Sequence, residues 1–234
     1  MWNQVHHAMA LHPDVTSGER LNVHFARMGE PTFNPAVIEA AYELEHSLGD
    51  DFLVHSVVST MMPANNSRLR KFLVRWMDYK NDMGGEAGLQ LSINSTDEAE
   101  RMDMFGGSAL TLEDVAGVMV GLRPQGRKIT LNFAVAAYEI DPAVLLRWFD
   151  PEHYVIKLTP MHKTTSCAES GIETPGDYTE YHPYQQYEHD LRVAGYDVLV
   201  FIASEYEDLG RITCGNAILS GTEPLCPHEE GAIP

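Results

Sequence analysis

The alternation of hydrophobic and polar positions along the chain predicts strands and helices in turn. Six short apolar-rich segments predict strands, and in most of them apolar residues recur at every second position. The predicted strands are 21–25, 52–58, 89–93, 129–135, 154–158 and 197–202. Between them, apolar residues recur at helical spacing, most clearly at Leu69, Phe72, Leu73, Trp76 and Met77. The pattern therefore predicts one strand-then-helix unit that is repeated along the chain.

Residues with capping chemistry predict where several of these helices begin and end. Asn34, Thr111 and Asp141 each precede an apolar-periodic segment and can accept a hydrogen bond from the first turn. Gly195 is placed for a left-handed helix end, in a helix that we expect to begin near residue 179. Segment 94–110 is long and polar and contains a Gly-Gly pair, so we predict a surface loop there.

Strands that alternate with helices indicate parallel βαβ units joined by right-handed crossovers. The predicted fold class is α/β, with a barrel, a partial barrel or a doubly wound sheet as the possible architectures. Residues 1–221 are predicted to form one domain, since 234 residues are enough for a single core. Segment 222–234 is rich in Pro and Glu, and we predict that it is a disordered tail.

Composition places the chain among soluble globular proteins. Hydrophobic residues make up 44% and charged residues 21% of the sequence. We find no apolar run of membrane-spanning length and no signal peptide at the start of the sequence. Three scattered cysteines do not form a disulfide framework, so we predict a cytoplasmic location. The 11 histidines show no metal-ligand spacing, and no metal site is predicted.

The charge of the chain is strongly acidic. It carries 34 acidic and 16 basic residues, a formal net charge of -18. This balance opposes binding to a phosphate backbone, which is held mainly by Lys and Arg. Basic residues do cluster at two places, which we interpret as solvated helix ends and turns. The clusters are Arg68, Arg70, Lys71 and Arg75, and Arg123, Arg127 and Lys128.

Small polar residues follow several predicted strands, at the edge where ligands gather in parallel α/β folds. Glu30 can accept hydrogen bonds from an ammonium group, and Gly29 before it allows close backbone approach. Ser59, Ser92 and Asn94 can bind hydroxyl or carboxylate groups. Each residue alone is more typical of a turn or a solvated loop. Together, at successive strand ends, they suit a ligand that carries amino, carboxylate and ribose groups.

Five short segments follow one another in a specific order over about 5–219. The first three are Met28-Gly29-Glu30-Pro31 plus Asn34, Val58-Ser59-Thr60 and Leu91-Ser92-Ile93-Asn94-Ser95. The last two are Ile156-Lys157-Leu158-Thr159-Pro160-Met161-His162, and Glu207-Asp208-Leu209 through Thr213-Cys214-Gly215-Asn216. In this order and at compatible spacing, they resemble the motifs MGEP…N, LST, SLHA, INLIPWN and GDDIDAACGQ of the RlmN/Cfr branch of radical S-adenosylmethionine (SAM) enzymes.

The resemblance implies a fold, a reaction and a set of site residues. The fold would be a partial TIM-type (β/α)6 barrel of the radical SAM kind, missing its first βα unit. The reaction would be methylation of adenine C2 in rRNA or tRNA, with an electron donor as a further partner. Cys214 would be the catalytic cysteine that carries the methyl group. The SAM-binding residues would be Gly29, Glu30, Ser59, Ser92, Ile93, Asn94 and His162.

The sequence departs from the family pattern in its cysteines. The family's CxxxCxxC loop, which binds a [4Fe–4S] cluster, is absent, and Cys167, Cys214 and Cys226 are too far apart to replace it. Asn94 and His162 exchange the residue types that the family uses at those two positions. We expect the cluster to come from an upstream segment or a separate protein. Two alternatives stay open: an inactive SAM-binding or interaction remnant, and a radical SAM enzyme whose substrate is not RNA.

Overall fold

Six parallel strands form one sheet that curves into a half-barrel. The computed structural model describes residues 2–26, 29–136, 138–160 and 184–202. Each strand pairs with the next along the chain, so their spatial order is the chain order. The strands are β1 (Gly18–Phe25), β2 (Phe52–Thr60), β3 (Gly88–Ser92), β4 (Ile129–Val135), β5 (Tyr154–Pro160) and β6 (Asp197–Val200). The partial-barrel prediction is confirmed, and the doubly wound alternative is excluded.

Helices follow the strands and cover the outer face of the sheet. A short 3-10 helix (Pro31–Phe33) follows β1. The α-helices in the described ranges are α1 (Trp2–Leu11), α2 (Ala36–Leu48), α3 (Leu69–Asp82), α4 (Glu98–Met104), α5 (Leu112–Met119), α6 (Pro142–Trp148) and α7 (Gln185–Val193). No helix among these residues is both long enough and apolar enough to cross a membrane.

The core lies between the helices and the outer face of the sheet. In β4, Ile129, Leu131, Phe133 and Val135 are at most 1% exposed, while the residues between them are half-buried. The stripe predicted for α3 is buried as expected; Leu73 and Trp76 are 0% exposed. The apolar periodicity in the sequence therefore marks the residues that join helix to sheet.

The predicted helix ends are also found. The side chain of Thr111 accepts a hydrogen bond from the Asp114 amide, and that of Asp141 accepts one from the Ala143 amide. Asn34 Oδ1 accepts one from the Ala36 amide at 3.1 Å, although α2 begins at Ala36 with Pro35 in the cap position, one residue later than Asn34 as a cap would give. Gly195 has a φ of +96°, the left-handed conformation predicted for it.

Two parts of the chain differ from the sequence-based prediction. Helix α1 was not predicted, because it buries no residue fully and its apolar positions form a weak stripe. Segment 94–110, predicted as a surface loop, instead contains α4 and is largely buried near its start. The Asp97 side chain caps α4 by accepting hydrogen bonds from the Ala99 and Glu100 amides. The helix has few apolar residues, so hydrophobic periodicity does not reveal it.

Candidate functional site

The concave face of the half-barrel is polar and open, unlike the helix-covered outer face. In β3 and β4 the residues between the core positions are half-buried. A parallel sheet covered on both faces has almost continuously apolar strands, so this alternation indicates a face that helices leave free. Strand register places the following on the concave face: Asn22, His24, His55, Ser59, Gln90, Ser92, Thr130, Asn132, Lys157 and Thr159.

Glu30 joins the ends of β1 and β2. One carboxylate oxygen accepts hydrogen bonds from the Thr32 amide at 3.1 Å and the Thr32 hydroxyl at 2.6 Å. The other accepts one from the Met61 amide at 3.0 Å. A carboxylate has about four lone-pair sites, so one acceptor position remains for a ligand. Gly29 beside it is exposed with a φ of +103°, a conformation that a residue with a Cβ rarely adopts.

Ser59 and Ser92 lie at the ends of neighbouring strands on the concave face. Ser59 is in register with Gln90 of β3, and Ser92 is in register with Asn132 of β4. Both are half-buried, and neither hydroxyl has a hydrogen-bond partner within the described part of the chain. These hydroxyls are therefore available to a ligand at the carboxyl edge of the sheet.

Ile93 and Asn94 continue the pairing of β3 with β4 beyond the end of β3. The amides of both donate to the Asn132 carbonyl, at 2.8 and 3.3 Å. Asn94 has a φ of +67° and is 8% exposed, and its Oδ1 accepts from the Ala134 amide at 3.0 Å. Asn is among the residues that tolerate this left-handed conformation. The Asn94 side chain thus holds the two strands together.

Arg101 was not singled out in the sequence, yet it is buried against this edge. Its Nε donates to the Leu110 carbonyl at 3.0 Å, and its Nη1 donates to the Ser92 and Ile93 carbonyls at 2.8 and 2.6 Å. The residue is 0% exposed, and burial lowers the pKa of its guanidinium to about 10. The spacing of Asp97 and Glu100, typical of a helix start, could have revealed α4. No sequence signal marks an arginine as buried.

A second polar group lies deeper on the concave face. Arg127 Nη1 donates to His55 Nε2 at 2.6 Å, so His55 Nδ1 is assigned the proton and donates to Asn22 Oδ1 at 2.9 Å. Burial, followed by the charge of Arg127, lowers the pKa of His55 to about 4. Arg127 was interpreted as part of a solvated basic turn, whereas its side chain reaches a histidine that is 5% exposed. The neutral imidazole makes this contact possible.

A cavity of about 470 Å3 follows β1 at the edge of the sheet. Its walls include Met9 of α1, Leu44 of α2 and both faces of β1, and it reaches Gly29 and Glu30. Ser59 and Ser92 do not line it. The cavity therefore reaches one part of the predicted SAM site from the side, and a single pocket for all three polar residues stays a prediction.

His162 and Cys214 lie outside the described residues, as does Met28 of the first motif. Their predicted roles stay predictions. The groups at the carboxyl edge fit the chemistry of SAM: an acceptor on Glu30 for an ammonium, and serine hydroxyls for ribose or carboxylate oxygens. The sequence does not fit a [4Fe–4S] cluster in the same way, because Cys167, Cys214 and Cys226 supply no compact three-thiolate loop.

The likeness of this chain to known proteins is a likeness of fold. No family model matches the sequence, and no curated protein matches it. Among solved structures, the chain resembles that of a radical SAM methyltransferase from Sphaerobacter thermophilus, with a TM-score of 0.63 and 18% sequence identity. The match covers 92% of this chain and 59% of that one. The chain thus spans about three fifths of that protein's length. A likeness at this sequence identity establishes the fold alone, which is the half-barrel found in a radical SAM methyltransferase.

Proposed function

We propose that this chain is the SAM-binding portion of a radical SAM methyltransferase and binds SAM at the carboxyl edge of its half-barrel. The observation that carries the proposal is the pair of serine hydroxyls, Ser59 and Ser92, which lie at the ends of neighbouring strands on the open face and have no hydrogen-bond partner among the described residues. Glu30 extends this row to the end of β1 and keeps one acceptor position for the ammonium group. The likeness of the fold to a radical SAM methyltransferase supports the choice of ligand.

Calorimetric titration with SAM tests the proposal. Wild-type protein is expected to bind one equivalent, and Ser92→Ala is expected to raise the dissociation constant about tenfold, the usual cost of one hydrogen bond to a charged group. Ser47→Ala is the matched control, because Ser47 is exposed on α2. No heat of binding with wild-type protein, or equal effects of the two serine variants, would contradict the proposal.

Glu30 is tested in the same way by Glu30→Gln, with Glu43→Gln on the exposed side of α2 as control. Loss of the negative charge is expected to weaken SAM binding, while the control leaves it unchanged. S-adenosylhomocysteine, which also has the ammonium group, is expected to lose affinity in parallel. Because Glu30 also joins β1 to β2, the number of sites per molecule is recorded to separate folding from affinity.

For the complete enzyme we propose methylation of adenine C2 in RNA, as the resemblance to RlmN/Cfr implies. Cys214 would act as the methyl acceptor: its thiolate takes the methyl group from SAM, and S-adenosylhomocysteine is released. The iron–sulfur chemistry would require cysteines from outside this sequence, together with an electron donor. Incubation with methyl-labelled SAM is expected to add one methyl mass to the peptide containing Cys214, and none in Cys214→Ala. Labelling that persists in this variant would remove Cys214 from the mechanism.

A second candidate is a radical SAM enzyme with a substrate other than RNA, favoured by the net charge of -18. Acidic proteins repel phosphate backbones, and binding that does occur weakens steeply with salt. Fluorescence anisotropy with labelled tRNA and rRNA fragments at low salt distinguishes the two candidates. Saturable, salt-sensitive binding supports RNA, whereas no change in anisotropy supports the second candidate.

A further inference from the structure

Arg101 holds a turn at the end of β3 by donating to consecutive carbonyls. In an extended strand, successive carbonyls point to opposite sides. Here the carbonyls of Ser92 and Ile93 lie 2.8 and 2.6 Å from the same guanidinium nitrogen, so the chain must leave the extended conformation at this point. The positive φ of Asn94, +67°, completes the turn. Arg101 thereby fixes the backbone that presents the Ser92 hydroxyl and the Asn94 side chain.

Burial of Arg101 is energetically unfavourable compared with burial of an apolar side chain that fills the same volume. Burial disfavours the charged guanidinium and lowers the pKa of Arg101 to about 10, so it is still charged at neutral pH. Its Nη2 is buried without a hydrogen-bond partner among the described residues. An apolar side chain of similar size would avoid both costs, because buried charges often stabilise less than hydrophobic replacements. What an apolar side chain cannot do is hold three carbonyls in fixed directions.

Arg101 also connects this turn to the chain that follows α4. Its Nε donates to the Leu110 carbonyl at 3.0 Å, and its guanidinium lies 5.0 Å from the centre of the Phe105 ring. Asp97 anchors the other end of α4 through its cap. Arg101 thus fixes the orientation of segment 92–94 from the side opposite the concave face. It is 0% exposed and cannot contact a ligand on the concave face without a rearrangement.

We propose that Arg101 is a positioning residue for SAM: it sets the direction of the Ser92–Asn94 backbone, and SAM affinity depends on it although it does not contact SAM. The inference rests on the proposed function, because it assigns Ser92 and Asn94 to the SAM site. Small displacements of positioned groups cost binding and catalysis steeply. Loss of Arg101 is therefore expected to weaken SAM binding even in molecules that remain folded.

Calorimetric titration with SAM, at a temperature where every variant is folded by circular dichroism, tests the inference. Arg101→Met is expected to raise the dissociation constant about tenfold or more, with the number of sites per folded molecule unchanged. Arg101→Lys keeps a buried cation with one compact donor group and is expected to recover part of the affinity. Arg70→Met is the matched control, since Arg70 also bridges two carbonyls, those of Val118 and Val120, but on an exposed surface.

The outcomes separate this inference from the proposed function. A merely structural role lowers the melting temperature and the number of sites but leaves the dissociation constant of the folded molecules unchanged. An Arg101→Met dissociation constant equal to that of wild type would therefore overturn the inference while the proposed function stands. If Arg101→Met does not fold, Arg101→Lys is decisive by the same criterion. Wild-type protein that does not bind SAM would overturn both, and a tenfold loss in Arg101→Met with an unchanged Arg70→Met would support both.

Discussion

Helices α3 and α4 follow neighbouring strands of the same sheet but are held in different ways. Helix α3 buries an apolar stripe in which Leu73 and Trp76 are 0% exposed. Helix α4 buries Arg101, whose guanidinium donates to backbone carbonyls at the end of β3. The first helix was predicted from sequence and the second was not. Apolar burial leaves a periodic trace in a sequence, whereas a buried polar contact depends on a partner that sequence does not identify.

Because α3 buries an apolar stripe and α4 a single polar residue, we expect α3 to contribute more than α4 to the free energy of unfolding. Trp76→Ala is expected to lower the free energy of unfolding by about 3–5 kcal/mol, because it opens a cavity in the core. It also removes the donor to the Gly88 carbonyl, at 3.0 Å from Trp76 Nε1. Urea unfolding measures the loss. Val74→Ala on the exposed side of the same helix, with Val74 38% exposed, is expected to cost much less.

The buried polar contact is expected to come next in size. Arg101→Met leaves the carbonyls of Ser92, Ile93 and Leu110 without their donor, at an expected cost of about 2–4 kcal/mol. The same urea experiment measures it, with Arg70→Met as the exposed control. A variant that is as stable as wild type would show that α4 does not depend on its buried arginine.

The extent of the sequence prediction follows from this difference. In β4 the alternating residues Ile129, Leu131, Phe133 and Val135 face the helices, and their alternation correctly predicted both the strand and its buried face. Segment 94–110 was predicted as a loop because its buried groups, Asn94 and Arg101 among them, are polar. A sequence read for hydrophobic periodicity cannot distinguish a solvated polar residue from one that is hydrogen-bonded inside the protein.

The sequence located the strand ends that carry the candidate residues, whereas the contacts of these residues came only from the structure. The end of β3 was correctly located, but Asn94, chosen as a ligand-binding residue, also holds β4 through its Oδ1. The contact between His55 and Arg127 joins residues 72 positions apart and has no local signal. Polar residues at strand ends can be recognised in a sequence, whereas long-range polar contacts require the structure.

On the concave face, the buried histidine His55 is expected to make the stability of the protein depend on pH. Burial lowers its pKa from 6.5 to about 4 in the folded state, so the unfolded chain binds protons more readily. Stability is therefore complete above pH 6.5 and falls as the pH decreases towards 4. Allowing for solvent near these partly buried hydrogen bonds, His55 is expected to contribute roughly 1–2 kcal/mol to this loss.

Urea unfolding at about pH 7 and about pH 4.5 measures this loss of stability, because the two values bracket most of the His55 titration. His55→Gln keeps hydrogen-bonding capacity without the titration and is expected to lose less stability on acidification than wild type. His46→Gln is the control, because His46 is exposed on α2, and it should follow wild type. Identical pH profiles for wild type and His55→Gln would show that the imidazole is not held neutral by the fold.

The cap of α4 gives the smallest expected effect. Asp97 Oδ1 accepts from the amides of Ala99 and Glu100 at 2.8 and 2.9 Å. Asp97→Ala is expected to cost about 1 kcal/mol, and Asp97→Asn much less, because Asn also caps well. Urea unfolding of both variants measures the loss; a loss as large as that of Arg101→Met would mean that the cap stabilises this helix as much as the buried arginine does.

Binding of SAM at the carboxyl edge of the half-barrel, as proposed above, is tested most directly by nuclear magnetic resonance of isotope-labelled protein titrated with SAM. We expect amide shift changes that saturate and cluster at Gly29 and Glu30, Ser59 and Thr60, and Ser92 to Asn94, with little change on the outer faces of α2 and α3. Shifts confined to those helices, or none at saturating SAM, would contradict it.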